Sequence, residues 1–219
     1  STRTFSYTFN QLLTYDRRFG KHNIGILLGH EFYNYEYNYL YTYSTGIFPG
    51  IAELDPATTP VDNSSYTNTY KIESYLTRVN YDYDDRYFFS ASWRTDGSSR
   101  FYKDNRWGQF WSVGGSWRLS EEKWMNARWI DNLTIKASYG VQGNDMLTTY
   151  YAWQGFYDLT WANALNPGAI VSTLENLDIS WEKKGTVNVG VEATLFNRIL
   201  DLSVEYYHSN THDLLLASP

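Results

Sequence analysis

The sequence contains no cysteine, so it has no disulfide framework and no thiolate to bind metal or attack a substrate, and it carries no redox signature of a compartment. Long apolar runs are also missing: none exceeds four residues, whereas a transmembrane helix needs about 20. That excludes helical spans only, because a barrel strand shows every second residue to lipid and averages out as polar. Basic charge is scarce too. The net charge is −6 and no block of five like charges occurs, which excludes the clustered basic surface of a nucleic-acid partner. Lys, Leu and Ala do not dominate, so a coiled coil or long helix is not expected. The chain opens Ser1-Thr2-Arg3-Thr4 without a methionine or an apolar signal segment, and it is expected to be a piece of a longer polypeptide.

What the 219 residues do have is aromatic side chains: 21 Tyr, 11 Phe and 9 Trp, nearly half of a hydrophobic content of 42%. They recur at alternate positions, the period of a β-strand with two unlike faces. Eight strands are expected, at residues 4–15, 24–43, 70–83, 86–96, 110–119, 132–142, 184–196 and 199–212. Residues 44–69 are rich in Pro, Thr and Ser without a clear period and are expected to form a long loop. Ser120 is expected to cap a short helical turn, although Lys123 at the third position leaves a capping box incomplete. The segment 143–181 is expected to be the longest loop. Connections alternate between short (at Asp16, Asp84, Ser120 and Asn197) and long (at Ser44, Gly97 and Gly143), the rhythm of transmembrane barrels.

The two faces of the later strands are unlike. One carries Tyr87, Phe89, Ala91, Trp93; Trp111, Val113, Trp117; Leu133, Ile135, Tyr139; Val187, Val189, Val191; and Leu200, Leu202, Val204, Tyr206, with no charge. The other holds Arg94, Asp96, Arg118, Lys136, Glu192, Asp201 and Glu205. A Lys or Arg facing lipid at mid-bilayer costs about 2–4 kcal/mol, so such segregation suits a barrel wall. A β-sandwich with one buried face gives the same alternation, and period two alone leaves both readings open. Trp and Tyr near strand ends (Tyr81, Tyr83, Tyr87, Trp107, Trp111) favour the barrel, because amphipathic rings settle at bilayer interfaces.

Catalytic readings are weak. Ser180-Trp181-Glu182-Lys183 has the spacing of a serine β-lactamase nucleophile and base but lacks a helix start and companion motifs. His208 and His212 would sit roughly 13 Å apart on one strand face, too far to share a zinc ion. The acids Asp82, Asp84 and Asp85, and Glu121 and Glu122, fall in expected turns without the glycine of a calcium loop. No cofactor or metal is expected. Asp96 to Arg100 is read as structural, with an Arg94–Asp96 ion pair on the polar face. The loop aromatics Tyr150, Tyr151, Trp153, Phe156, Tyr157 and Trp161 are the substrate- or lid-contacting candidates, since exposed rings stack on sugars or peptide side chains. Packing of the loop on itself or against a lid subunit is the favoured account of them.

Several blocks, in order, resemble one family: Asn80-Tyr81-Asp82-Tyr83, Arg86-Tyr87, Ser92-Trp93-Arg94-Thr95-Asp96-Gly97-Ser98-Ser99-Arg100-Phe101, Asn105-Arg106-Trp107-Gly108, Trp117-Arg118-Leu119-Ser120-Glu121-Glu122, Leu133-Thr134-Ile135-Lys136-Ala137-Ser138-Tyr139-Gly140, Gly143-Asn144, Trp181-Glu182, Asn188-Val189-Gly190, and Tyr206-Tyr207 with Thr211-His212-Asp213-Leu214-Leu215. They resemble the SusC/RagA TonB-dependent outer-membrane transporters of Bacteroidetes, over most of residues 70–216. Where that family usually has Phe-Pro, this chain has Phe110-Trp111. The resemblance implies an all-β fold, about eight strands of an expected 22-stranded antiparallel barrel, with the plug domain and the barrel's C-terminal end outside residues 1–219. It implies a polar lumen lined by Arg94, Asp96, Arg118, Lys136, Glu192 and Glu205, a SusD-like lipoprotein lid, TonB engaged through an N-terminal region, surrounding outer-membrane lipid, and import of oligosaccharides or peptides without catalysis. A barrel serving as scaffold in a secretion or assembly machine, and a soluble glycan-binding β-protein, are the alternatives.

Overall fold

A computed structural model describes residues 1–51, 53–159, 161–163 and 166–216. In chain order the strands are β1 (Thr2–Phe19), β2 (His22–Thr45), β3 (Thr59–Tyr83), β4 (Tyr87–Ser98), β5 (Trp107–Arg118), β6 (Ile130–Asn144), β7 (Phe156–Asp158), β8 (Ala162–Asn163), β9 (Asn166–Pro167), β10 (Ile170–Thr173), β11 (Glu182–Leu195) and β12 (Leu200–His212). Eight of them form one antiparallel sheet in the order β1-β2-β3-β4-β5-β6-β11-β12, open at β1 and β12. The short strands pair as β7 with β10 and β8 with β9.

The meander follows from its turns. Asp84 and Asp85 both take positive φ (56° and 54°), as a type I′ turn requires, and Asp tolerates that region better than most residues. Phe196, Asn197 and Arg198 make the β11–β12 turn with three consecutive positive φ values. Ser120 does not cap the turn after β5. That turn is a 3₁₀ segment (Leu119–Glu121) whose preceding residue, Arg118, makes no side-chain cap bond, while the Ser120 hydroxyl donates to Asn132 Oδ1 at 3.3 Å.

Two expected loops are more ordered than their composition suggests. Residues 59–69 are strand, paired with β2 from Thr45 down to Glu36, so the β2–β3 connection shrinks to residues 46–58. Their period is invisible because both faces there are polar, yet Thr and Tyr suit an extended backbone. With 24 and 25 residues, β2 and β3 rise well beyond their neighbours. The segment 143–181 contains the two small hairpins.

The apolar face is not sealed against a second sheet. Tyr87, Phe89, Trp93, Trp111, Val113, Trp117, Ile135, Tyr139, Val187, Val189, Val191, Leu202, Val204 and Tyr206 are all exposed. Among the described residues the buried hydrophobics are Phe101, Phe110, Leu119, Trp181 and Leu195, far too few for a soluble sandwich. Aromatic rings edge this face. At the short-turn rim Phe19, His22, Tyr83, Tyr87, Trp117 and Trp124 touch in sequence, with centroids 5.0–6.4 Å apart. Toward the long loops His30, Tyr75 and Trp107 do the same. Trp107 and Trp117 bound the outer face of β5. Ten residues at about 3.3 Å each, tilted by roughly 40°, separate them by about 25 Å in height, the apolar band of an outer-membrane-type barrel.

Candidate functional site

The face opposite the apolar one is a charged wall. Lys136 on β6 reaches across β11: its Nζ lies 2.6 Å from Glu192 Oε1 and also contacts Glu205 Oε1 on β12. Gly190 makes this crossing possible, because a Cβ there would stand 2.8 Å from Lys136 Cε and 3.1 Å from Glu205 Cγ. Nearer the long loops, Arg94 Nε donates to Asp96 Oδ1 at 2.6 Å, its NH2 donates to Ser74 Oγ at 3.0 Å, and Glu31 lies at 3.6 Å. Arg118 sits apart, at the short-turn rim, where it donates to the Asp85 carbonyl at 3.0 Å and covers the Phe88 ring. Five of the six wall residues named from sequence therefore form two separate networks, and the sixth braces a turn. Between the networks the wall is built of small residues, with Ser90, Gly114, Ser138 and Asn188 adjacent across β4, β5, β6 and β11. They line open hollows of about 680 and 740 Å³.

The rim itself is held by carboxylates. Hydrogen bonding to Lys21 (2.8 Å), helped by the Lys21 and Arg86 charges, holds the Asp84 carboxyl below the usual range. Donation from Tyr87 and Trp117 does the same for Glu122, just beyond β5.

At the opposite end, the segment from Ser98 to Phe101 pins the long loop to the sheet. Ser98 Oγ and Tyr70 OH donate to Asp145 Oδ2 at 2.6 and 2.9 Å. Arg100 donates to the Asp145 and Leu147 carbonyls and lies over the Tyr70 and Tyr150 rings at 4.7 and 5.1 Å. Ser99 exchanges backbone and side-chain bonds with Lys71. Burial, and then the Asp145 charge and hydrogen bond, push the Tyr70 phenol up. Beneath, Phe101, Phe110 and Trp181 form a small core, with the Trp181 indole donating to the Arg106 carbonyl at 2.7 Å.

This hub divides the loop aromatics. Tyr150 stacks on Tyr35 and Tyr70. The Tyr151 hydroxyl accepts from the Thr69 amide at 2.9 Å. Trp153 packs on Tyr102. All three pack against other parts of the chain. Phe156, Tyr157 and Trp161 remain exposed, with the Trp161 indole donating to Asp158 at 3.0 Å.

A larger aromatic surface lies elsewhere, on β2. Register with β3 puts Tyr33, Tyr35, Tyr37, Tyr39 and Tyr41 on the same face as Glu31 and the charged wall. Tyr66 stacks on Tyr39 (5.0 Å) and touches Tyr37 (6.0 Å), and Tyr70 meets Tyr33 edge-on. Reading for loop aromatics misses this row, although Tyr at every second position from 33 to 43 is its signal.

Comparison with known proteins places these features. All of residues 1–219 match the family model described as TonB dependent receptor-like, beta-barrel. TonB-dependent receptor P3 of Formosa agariphila is 30% identical over 100% of this chain and 22% of its own length. TonB-dependent receptor SusC of Bacteroides thetaiotaomicron is 30% identical over 70% of this chain and 16% of its own length. Among solved structures, the RagAB peptide transporter superposes with a TM-score of 0.90 at 30% identity, covering 100% of this chain and 25% of that one. The chain thus spans about a quarter or less of the proteins it matches, and those relatives are named as receptors and transporters, not enzymes.

Proposed function

The chain belongs to the TonB dependent receptor-like β-barrel family, and from that premise we propose that residues 1–219 form one stretch of wall, a partial barrel domain, in an outer-membrane importer of the SusC kind. A plug and further strands from the rest of the polypeptide complete it. The lumen side is the wall of Arg94, Asp96, Lys136, Glu192 and Glu205, with Arg118 bracing the periplasmic rim. A SusD-like lipoprotein closes the mouth, TonB supplies the energy, and the cargo is an oligosaccharide or a peptide that passes unchanged.

One observation carries this reading: an exposed face, uncharged across β4, β5, β6 and β12 and about 25 Å tall between two aromatic rows, backs directly onto a charged one. No soluble environment stabilises that combination. The fit to RagAB, a peptide transporter, and the identity to SusC support the importer role. The test uses the full-length protein in outer membranes. Uptake of its cargo should stop when TonB is deleted, and the protein should co-purify in detergent with a surface lipoprotein. Uptake that persists without TonB, or recovery from the aqueous fraction without detergent, overturns it.

A further inference from the structure

The tyrosines of β2 form a continuous strip. Tyr33 to Tyr41 occupy alternate positions of one strand, so five rings run for roughly 27 Å at about 3.4 Å per residue. Tyr66 and Tyr70 on β3 widen the strip on one side. Register with β1 sets Thr2, Thr4, Ser6 and Thr8 beside Tyr39, Tyr37, Tyr35 and Tyr33 on the other. Asn68 and Ser64 face Tyr37 and Tyr41 from β3. From the Tyr37 row to the Tyr41 row this face carries no charged side chain. At its foot stand Arg100 and Asp145, one charge of each sign. Desolvation and the neighbouring Tyr66 hydroxyl push the Tyr37 phenol up. The strip faces the same side as the charged wall and meets it at Glu31, which lies 3.6 Å from Arg94. Its upper members, Tyr41 and Tyr66, are exposed.

We propose that this tyrosine strip is a binding track for a neutral oligosaccharide, which it holds above the wall before passage. The assignment rests on the import reading above and deepens it. Flat rings offer apolar faces to the C–H faces of sugar rings, and the phenol, threonine, serine and asparagine groups offer donors and acceptors to ring hydroxyls. Above Arg100, which lies over Tyr70 at the foot of the strip, an anionic glycan meets no cation. An extended peptide needs an open strand edge or pockets for alternate side chains; β2 is paired on both sides from Tyr33 to Tyr39, so the open edge, on β3 above Ile72, lies beside the rings and not among them.

The full-length receptor, purified in detergent, is titrated calorimetrically with neutral gluco-, xylo-, manno- and galacto-hexasaccharides, a hexauronate, and a mixed hexapeptide pool. At least one neutral hexasaccharide should bind and the hexauronate and peptides should not. In the double variant Tyr37→Ala, Tyr39→Ala that binding should weaken roughly tenfold or more, the loss of two stacked rings. Tyr37→Phe with Tyr39→Phe should keep most of it, and Tyr41→Ala, at the open end, should weaken it a few-fold, so the track remains testable if the double variant assembles poorly. Binding of no neutral hexasaccharide, or binding unchanged in an assembled double variant, overturns the proposal. So does loss in that variant of peptide binding or of the co-purifying lipoprotein. TonB-dependent uptake that survives the double substitution sinks the track and leaves the importer standing; TonB-independent uptake by the unaltered protein sinks the importer instead.

Discussion

Asp84 shows how one residue serves backbone and charge at once. Its φ of 56° suits the turn between β3 and β4, and its carboxylate binds Lys21 from the neighbouring turn and Arg86 from its own. Folding depresses its pKa, so the stabilisation is fully present above the ordinary carboxylate range and is lost as pH falls through the depressed value. Asp84→Asn keeps the backbone tolerance, because Asn also visits the left-handed region, and removes only the charge. The variant should therefore melt below the unaltered protein at about pH 7, and the gap should narrow as pH falls below the ordinary carboxylate range of about 4, measured by heat-modified gel mobility. A gap that stays constant on acidification would show that charge plays no part. Glu122 is depressed chiefly by neutral donors, Tyr87 and Trp117, and also by Arg86, which it shares with Asp84, so the two carboxylates should lose their stabilisation on the same acid side.

At the scale of elements, the strands with one apolar face are readable and the polar extension of β3 is not. On the reading proposed above, lipid imposes a strict apolar period on one face of β4 to β6, β11 and β12, and a reader of residues such as Trp111, Val113 and Trp117 sees it directly. Beyond that apolar band the period stops. Thr59–Thr69 pairs with β2 through its backbone, a Thr67–Asn38 side-chain bond and the Tyr66 ring, and Thr, Ser and Asn there resemble a loop by composition. The tyrosine strip hid for a related reason: its rings alternate with Asn34, Glu36 and Asn38, so the segment reads as uniformly polar. The mouth was half legible. The Ser98-Ser99-Arg100-Phe101 block announces a special turn, but its partner, Asp145, lies 47 residues further on. That partner is the element's weak point. Asp145→Ala leaves the Ser98 and Tyr70 hydroxyls and the underside of the hub short of an acceptor, a cost of about 1–3 kcal/mol for groups this enclosed. The loop from 145 to 181 should then exchange amide hydrogens faster and be cleaved sooner by protease, while the strands keep their protection. Unchanged exchange would mean that Phe101, Phe110 and Trp181 hold the loop by themselves.

For the whole molecule, the proposed membrane setting inverts the soluble rule: few hydrophobic side chains are buried among the described residues, and the exposed apolar face is left for lipid. Depth along a strand should therefore decide the cost of a charge. β11 offers the cleanest ruler, since Lys183 at its outer end and Leu195 at its inner end share the face of Val189, which lies midway. The chain itself places a lysine at one end of that face, where the side chain reaches the interface. Val189→Arg moves the same kind of charge to mid-band and should cost about 2–4 kcal/mol. Glu192→Gln, on the other face, should stay within about 1 kcal/mol, because Lys136 retains Glu205 and the site is wet. Yields of heat-modifiable barrel in an insertion assay with the full-length protein separate the two: a marked loss for Val189→Arg against near-normal assembly for Glu192→Gln. Equal yields would mean that the exposed row of β11 does not meet hydrocarbon, and the 25 Å spacing of the aromatic rows would then need another cause.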